Sequence, residues 1–315
     1  MTEPCTGARC EGGVPEGSIT WQVIVSGSVV GQIERRERTG TLFGDLLRHW
    51  RKVRGVSQLD LALAADTSQR HVSFLESGRS RPSRAMVLAL AERLDIPLRA
   101  RNEFLTAAGY APYYPERSLT SEALVPIGAI LKRILEHHEP YPAFVLDGGW
   151  NLLMINTAGD RLIAPFGAAA SAGPGRIGTN FLKLMCDPNG LRPFITSWSR
   201  TGPALLGRLR REAAANPGGP VEQLLRELLV KNVFPPIADI DNGQSDATIP
   251  VELQLGERRV RLVTTITTFG TPQDVALQEL RIEMSFPADE ESDQFLRGSS
   301  ETTESSRGPR RSLGG

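Results

Sequence analysis

The sequence predicts two domains, a compact all-α domain of five short helices followed by an α+β domain that contains an antiparallel sheet with helices. Three observations lead to this fold class. Between residues 41 and 109, apolar residues recur at helical spacing and are interrupted by capping residues and glycines. Between residues 251 and 286 they alternate with polar residues, as in half-buried strands. Residues 110–120 contain two prolines and are typical of a linker.

The composition bounds the class of protein. The chain has 315 residues, 40% of them hydrophobic and 23% charged, which is typical of a globular protein. The whole chain has 36 basic and 36 acidic residues, but residues 41–117 contain twelve basic and eight acidic residues, a net charge of +4. This excess weakly indicates a polyanionic partner, and ordinary scatter of surface charge explains it equally well. Three cysteines are too few for a disulfide framework or a four-cysteine zinc site, and no membrane span or signal peptide is evident. We therefore expect a cytoplasmic protein without a cofactor.

Residues 1–40 are rich in glycine and irregular, apart from "ITWQVIVSGSVVGQI", which can form a hairpin around Ser26 and Gly27. We expect a disordered or weakly ordered extension here. An arm or a dimerisation strand is the alternative.

The helices of the first domain are recognised by their caps and their apolar spacing. Leu46, Trp50 and Val53 lie on one helical face, and Ser57 with Asp60 forms a capping-box pattern at the start of the second helix. Serines open the second, third and fourth helices and glycines end the first, third and fifth: Ser57, Ser68, Ser83, Gly55, Gly78 and Gly109. Residues 41–109 are therefore expected to form the helical domain.

The second and third helices are joined by a short turn, which predicts a helix-turn-helix. In this motif the second helix lies in the major groove and its first residues meet base edges. Gln69 can pair with adenine, Arg70 with guanine, and Phe74 can contact a thymine methyl group. Side chains and helix N-termini that can hold phosphates surround them: Ser57, Gln58, Ser68, Arg79 and Arg81. The alternative is a surface helix whose polar residues are merely solvated.

The segment "RKVRGVSQLDLALAADTSQRHVSFLESGRSRPSRAMVLALAERL" resembles the Cro/C1-type (XRE-type) repressor domain. The resemblance implies that Gln58 contacts phosphate, and that Gln69, Arg70, Ser73 and Phe74 face the bases.

The same resemblance implies an internal ion pair between Arg51 and Glu76, which makes Glu76 a structural residue. The family usually has glycine in the turn where this chain has Asp66. Aspartate tolerates a left-handed backbone better than most residues, so we expect the turn to form with some strain.

The second domain is expected to span residues 121–288. A helix is predicted over 121–137, followed by a hairpin around residues 147–149 and a flexible loop at 167–178. Further helices are predicted at about residues 181–185, 191–211 and 221–232, and three strands follow in residues 251–286. We expect a single sheet with helices on one face, and a disordered tail at residues 289–315.

Four segments of this domain resemble the MmyB-like transcription regulators: "PAFVLDGGWNLLMIN", "NFLKLMCDP", "LRPFITSW" and "TFGTPQDVALQELRIEMSFPAD". In that family a PAS-like domain regarded as ligand binding follows the repressor-type domain. The residues that can line a ligand pocket are Trp150, Ile155, Asn156, Phe181, Met185, Phe194, Leu262 and Ile266. Plain core packing is the favoured alternative for each of them except Asn156, because a polar residue that closes an apolar strand can point inward.

Motifs of enzymes are not found: the sequence has no G-x-S-x-G, H-E-x-x-H, phosphate-binding glycine loop or paired-cysteine site. His137 and His138 are adjacent and point apart on a helix, so surface positions are expected. We therefore expect a non-enzymatic, DNA-binding transcription regulator that acts on double-stranded DNA as a homodimer and binds a small apolar or amphipathic ligand. The alternatives are a DNA-tethered enzyme and a protein-interaction module that uses the helix-turn-helix.

Overall fold

The computed structural model of the chain describes residues 41–164, 177–235 and 251–305, with side chains up to residue 298. The predictions for residues 1–40, for most of the loop at 167–178 and for residues 306–315 lie outside this part of the chain.

Five helices occur within residues 41–109, as the sequence predicts: α1 (Leu42–Val53), α2 (Gln58–Ala64), α3 (Gln69–Glu76), α4 (Arg84–Arg93) and α5 (Leu98–Ala107). Trp50 lies in their core and is 1% exposed. Leu46, Leu75 and Phe104 belong to the same buried cluster. The helical domain therefore has an apolar core of its own.

Gly44 allows helices α1 and α3 to approach each other closely. A Cβ atom at this position would lie 2.6 Å from the carbonyl oxygen of Glu76 and 2.7 Å from that of Leu75. Real side-chain atoms do not approach a backbone so closely, so only glycine allows this crossing. The C-terminal turn of α3 therefore packs closely against α1, whereas the first turn of α3 lies at the other end of that helix.

The second domain combines helices with strands. Its elements are α6 (Val125–His137), β1 (Ala143–Leu146), β2 (Leu152–Ile155), α7 (Thr157–Ile163), α8 (Phe181–Cys186), α9 (Trp198–Ala215), α10 (Pro220–Val230), β3 (Val251–Leu255), β4 (Arg258–Thr267), α11 (Val275–Glu279), β5 (Arg281–Pro287) and α12 (Glu290–Ser305). The described strands form one sheet in the order β2-β1-β5-β4-β3. All neighbouring strands are antiparallel, and Val145 pairs with Ile282 at the centre.

Helices cover both faces of this sheet, which corrects the expectation of helices on one face. Phe144 and Leu146 belong to the large cluster formed with α7 to α10 and α12. Ala143 and Val145 alternate with them and pack against Leu131 and other residues of α6. Because all four residues of β1 are buried, each face needs its own layer of helices.

Helix α12 corrects a second expectation, that the chain is disordered from residue 289. The carboxylate of Asp289 accepts a hydrogen bond from the backbone N–H of Ser292 at 2.8 Å, and Ser292 is fully buried. Leu296 is 4% exposed within the large core cluster. The start of this segment is thus part of the domain.

The segment 110–120 and helix α11 join the two domains. Arg99 of α5 donates hydrogen bonds to both carboxylate oxygens of Glu279, at 2.8 and 2.9 Å, and also pairs with Glu116. The backbone N–H of Leu98 donates to the side-chain oxygen of Gln278 at 2.7 Å. These contacts tie the start of α5 to α11 of the second domain.

Candidate DNA interface and effector cavity

The first turn of helix α3 faces solvent. Its N-cap Ser68 accepts a hydrogen bond from the backbone N–H of His71 at 3.1 Å, which satisfies one of the free donors at the helix start. Val72 and Leu75 are fully buried, whereas Gln69 and Arg70 are exposed. The helix is therefore held from one side while the side chains at its beginning project outward.

The turn before α3 has the strained backbone that the sequence predicts. Asp66 has a φ of 49°, in the left-handed region that favours glycine. The backbone N–H of Thr67 donates to the carbonyl of Ala62 at 2.9 Å and closes the end of α2. The turn thus forms with aspartate where the repressor family usually has glycine.

Two arginines stack on the ring of Phe74. The guanidinium of Arg70 lies 5.1 Å from the ring centroid and that of Arg79 lies 5.9 Å from it. Both arginines are exposed, and Phe74 and Ser73 are half-buried. A ring beneath a guanidinium attracts the cation and limits its motion, so Arg70 and Arg79 form one positively charged surface beside α3.

Behind this surface, Glu76 lies at the centre of a buried ion cluster. Its carboxylate accepts hydrogen bonds from Arg51 Nε at 2.6 Å and Nη2 at 3.2 Å, so the structure contains the expected pair. Gln58 donates to it at 2.9 Å and Arg48 at 3.4 Å. The cluster joins helices α1, α2 and α3.

The charge of Glu76 is stabilised by these partners. Burial by itself raises the pKa of this carboxyl, but hydrogen bonds from Arg51 and Gln58 and the charges of Arg51 and Arg48 outweigh it. The net result is a lowered pKa, and Glu76 is ionised at neutral pH.

At the start of α2, Ser57 and Asp60 differ from the predicted capping box. The hydroxyl of Ser57 accepts a hydrogen bond from the backbone N–H of Asp60 at 3.1 Å, as expected. The carboxylate of Asp60 accepts from the Ser57 hydroxyl at 2.6 Å rather than from the Ser57 backbone. Ser57 and Arg81 are both exposed on the helical domain.

We call residues 121–298 the sensor domain, after the ligand-binding role that the family resemblance implies. This domain contains an apolar cavity of about 310 Å³, which we call the sensor cavity. It lies between α7, the end of β3 and α12. Its walls are formed by Pro140, Ala158, Arg161, Leu162, Phe194, Gln254, Leu255, Gly256, Phe295 and Leu296. Most of these residues are apolar, and Arg161 and Gln254 are the polar exceptions.

A second cluster of charges surrounds Trp150, which is 1% exposed and has a φ of 66°. Its indole Nε1 donates to Glu212 at 3.2 Å, and the guanidinium groups of Arg208 and Arg281 lie 4.3 and 5.2 Å from its ring. Burial opposes ionisation of Glu212, but the charges of Arg281 and Arg208 outweigh it and lower its pKa. Trp150 is therefore buried among the paired charges of Glu212, Arg208 and Arg281.

The geometry agrees with the families that the chain matches. Residues 47–100 match the helix-turn-helix family, and residues 127–298 match the MmyB-like transcription regulator ligand binding domain. The chain belongs to the MmyB-like transcription regulators. It is a DNA-binding transcription regulator with a ligand-sensing C-terminal domain, as the sequence predicts. The predicted fold class, a repressor-type helical domain followed by an α+β domain with an antiparallel sheet and helices, is also confirmed.

Three solved structures are similar to parts of this MmyB-like chain. The clp gene regulator ClgR from Corynebacterium glutamicum is 28% identical, with 31% of this chain and 90% of ClgR covered and a TM-score of 0.19. The PAS domain from Bordetella pertussis BvgS is 16% identical over 57% of this chain and 98% of its own, with a TM-score of 0.25. An RNA-binding Light-Oxygen-Voltage receptor is 14% identical over 85% and 65% of the two chains, with a TM-score of 0.25. A comparison with curated proteins gave no match.

The structure places most of the predicted pocket residues of this MmyB-like domain in the core. Trp150, Phe181 and Leu262 are buried, and Ile155 and Met185 pack against them. Core packing, the favoured alternative, is what the structure has at these positions. Phe194 lines the sensor cavity.

Asn156 and Ile266 do not line the sensor cavity. Asn156 caps α7: its Oδ1 accepts from the backbone N–H groups of Gly159 and Ala143, at 2.8 and 2.9 Å. Its Nδ2 donates to the carbonyls of Tyr141 and Leu135, so the amide is used within the fold. Ile266 is 46% exposed and lines a different cavity, between the domains.

The sequence patterns did not indicate the sensor-cavity residues of α7, β3 and α12. Phe295 and Leu296 were assigned to the tail, although Asp289 with Ser292 is a capping signal ahead of this apolar pair. Within the described residues, no group of His, Cys, Asp and Glu can hold a metal ion, and no helix is long and apolar enough to cross a membrane.

Proposed function

We propose that helix α3 reads the major groove of operator DNA through Gln69 and Arg70, with Ser73 and Phe74 beside them. The observation that carries this proposal is the exposure of Gln69 and Arg70 on a helix whose opposite side is fully buried. A bidentate pair of Arg70 with guanine or of Gln69 with adenine would give base selectivity.

Contacts with the DNA backbone would surround this reading surface. Arg79 and Arg81 are exposed after α3, and Ser57 and Ser68 cap the N-termini of α2 and α3. Gln58 donates one N–H to Glu76, so a phosphate would take the second hydrogen of the same amide. These contacts would position the helix without reading sequence.

Arginine substitutions separate the two kinds of contact. Arg70→Ala is expected to weaken operator binding by about 1–3 kcal/mol and to relax preference at one base pair. Arg81→Ala should weaken all sequences alike and lower the salt slope by about one. Arg93→Ala, an exposed arginine at the end of α4, is the matched control and should change neither. Binding isotherms on operator and scrambled DNA at several salt concentrations measure this, and parent-like binding by both variants would refute the proposal.

The protein is proposed to bind DNA as a homodimer. Helix α3 has eight residues, and a single short recognition helix buries too little surface for tight binding. Two copies on half-sites about 34 Å apart would double the contacts. Sedimentation velocity and footprinting are expected to give a dimer on two half-sites, and a monomer that protects one half-site would contradict the proposal.

The effector is proposed to be a small apolar or amphipathic molecule in the sensor cavity. Its volume of about 310 Å³ lies at the lower end of the range for ligand pockets, and its walls are mostly apolar. Arg161 and Gln254 would receive a polar end group. Native mass spectrometry of the full chain should detect a retained ligand that Ala158→Trp, which fills the cavity, removes. The exposed variant Val230→Trp is the control, and equal retention by both would place the ligand elsewhere.

The chain is proposed to act through binding rather than catalysis, at DNA in the cytoplasm. Family membership among transcription regulators supports this. The expected result is saturable ligand binding that changes operator affinity, with the ligand recovered unaltered. Recovery of a chemically changed ligand would favour a DNA-tethered enzyme, and DNA affinity only in the non-specific range would favour a protein-interaction module.

A further inference from the structure

A second cavity lies between the helical domain and the sensor domain, and we call it the interdomain cavity. Its volume is about 450 Å³, within the range of small-molecule sites. Arg54 and Asp95 line it from the helical domain, and Arg208, Glu212, Ile266 and Arg281 from the sensor domain. It shares no lining residue with the sensor cavity.

The acidic side chains along this cavity are largely occupied. Glu212 accepts hydrogen bonds from Arg281 at 2.7 Å, Arg208 at 2.8 Å and the Trp150 indole at 3.2 Å. Glu279, also on the wall, accepts two from Arg99. These carboxylates are therefore neutralised within the fold and do not favour a cationic ligand.

Two arginines on the wall keep unused donors. Within the described part of the chain, Arg281 donates a hydrogen bond only through Nη1. Arg54 donates through Nε and Nη2 to the backbone carbonyls of Leu94, Asp95 and Ala215, and to no carboxylate of a described residue. The carboxylate of Asp95 is the one opposing charge that accepts no hydrogen bond from a described side chain. Each guanidinium carries further N–H groups, so Arg54 and Arg281 can donate to an anion in the cavity.

An apolar surface lies beside these donors. The side chain of Ile266 is 46% exposed, and Val221 and Leu280 also line the cavity. A ligand with an apolar body would cover Ile266 and remove it from water.

We propose that the interdomain cavity binds a small organic anion, with its acid group on Arg54 and Arg281 and its apolar body on Ile266. This goes beyond the proposed function, which places the effector in the sensor cavity. Because both domains form the walls, such an anion would bind the docked arrangement better than a separated one and would shift the population toward it.

The test uses 8-anilinonaphthalene-1-sulfonate, an aromatic anion whose fluorescence rises when it is bound, with the full chain. Ile266→Glu places a negative charge in the cavity and is expected to weaken the affinity about tenfold or more. Ile266→Lys, the matched control of similar length and opposite charge, should keep or increase it. Because Ile266 is exposed, both variants should fold, which circular dichroism checks.

A third variant separates the two cavities. Ala158→Trp fills the sensor cavity and should leave the anion site intact. Equal affinities of Ile266→Glu and Ile266→Lys for the probe would overturn the proposal. Loss of probe binding in Ala158→Trp alone would also overturn it. Ile266 lies in a different domain from α3, so operator binding by the same variants without the probe tests the proposed function separately.

Discussion

Replacing Glu76 with glutamine removes the charge that joins helices α1, α2 and α3. In the parent, one carboxylate oxygen accepts from Arg51 Nε, and the other accepts from Arg51 Nη2, Gln58 and Arg48. The amide of the variant has one oxygen, so its NH₂ group must face at least one of these donors. Hydrogen bonds to charged groups contribute about 1.5–3 kcal/mol each, and breaking a buried pair costs about 3–5 kcal/mol. We expect Glu76→Gln to destabilise the helical domain by about 3 kcal/mol.

Hydrogen exchange followed by mass spectrometry measures this loss where it occurs. Amides of α3 should lose protection by roughly a hundredfold, since each 1.4 kcal/mol is a factor of about ten. Glu92→Gln is the control, because Glu92 is an exposed carboxylate of the same domain with no hydrogen bond to a described residue. Equal protection of α3 in the two variants would refute the reasoning.

The effect of Glu76→Gln on the hydrogen-exchange protection of α3 should depend on pH in a definite direction. The pKa of Glu76 is lowered in the folded state, so its contribution is complete above the ordinary carboxylate pKa. It is lost as the pH falls through the lowered, folded pKa. The difference in α3 protection between the parent and Glu76→Gln should therefore be largest at pH 7 and disappear in acid. A difference that increased in acid would contradict the assignment.

Three further predictions concern single side chains. Asp66→Gly should stabilise the helical domain by up to about 1 kcal/mol in urea unfolding, because glycine adopts the φ of 49° without strain; a loss of stability would argue against strain in the turn. Asn156→Ala should destabilise the sensor domain by about 2–4 kcal/mol in thermal unfolding. The substitution removes the cap of α7 and leaves the buried N–H of Ala143 and the carbonyl of Tyr141 unpaired. A change in ligand binding without loss of stability would instead support a role for Asn156 in the pocket. Burial raises the pKa of the Cys186 thiol to about 12. At pH 8 the native thiol should therefore react with iodoacetamide on the order of 10⁻⁴ as fast as a free thiolate, which peptide mapping measures. Rapid labelling of Cys186 would contradict its burial.

Much of the helical domain follows from local sequence. The serine caps, the glycine stops and the spacing of Leu46 and Trp50 act over one or two helical turns, so they can be recognised without a fold. The pair of Arg51 and Glu76 was expected from the family resemblance, whereas the stack of Arg70 and Arg79 on Phe74 was not. That stack depends on side-chain directions that spacing alone does not give.

In the sensor domain, the alternating residues predicted the strands, and the sheet order then determined their partners. β1 lies between β2 and β5, and β5 is more than 130 residues away along the chain. No local pattern contains this pairing, so the sequence did not indicate helices on both faces. Helix α12 differs, because Asp289 and Ser292 form a local cap ahead of it. The expected pocket residues come from apolar parts of strands and short helices, and such residues contribute mainly to the core.

The sequence by itself determined the five helices of the first domain, the outward face of α3 and the family, because these depend on caps, periodicity and motifs within short segments. Only the tertiary structure decided where the cavities lie and, apart from Arg51 with Glu76, which charges are paired. Trp150 meets Glu212 across 62 residues, and Arg99 meets Glu279 across 180. A cavity is the space that remains after such distant elements have packed, so its walls cannot be identified until the packing is known.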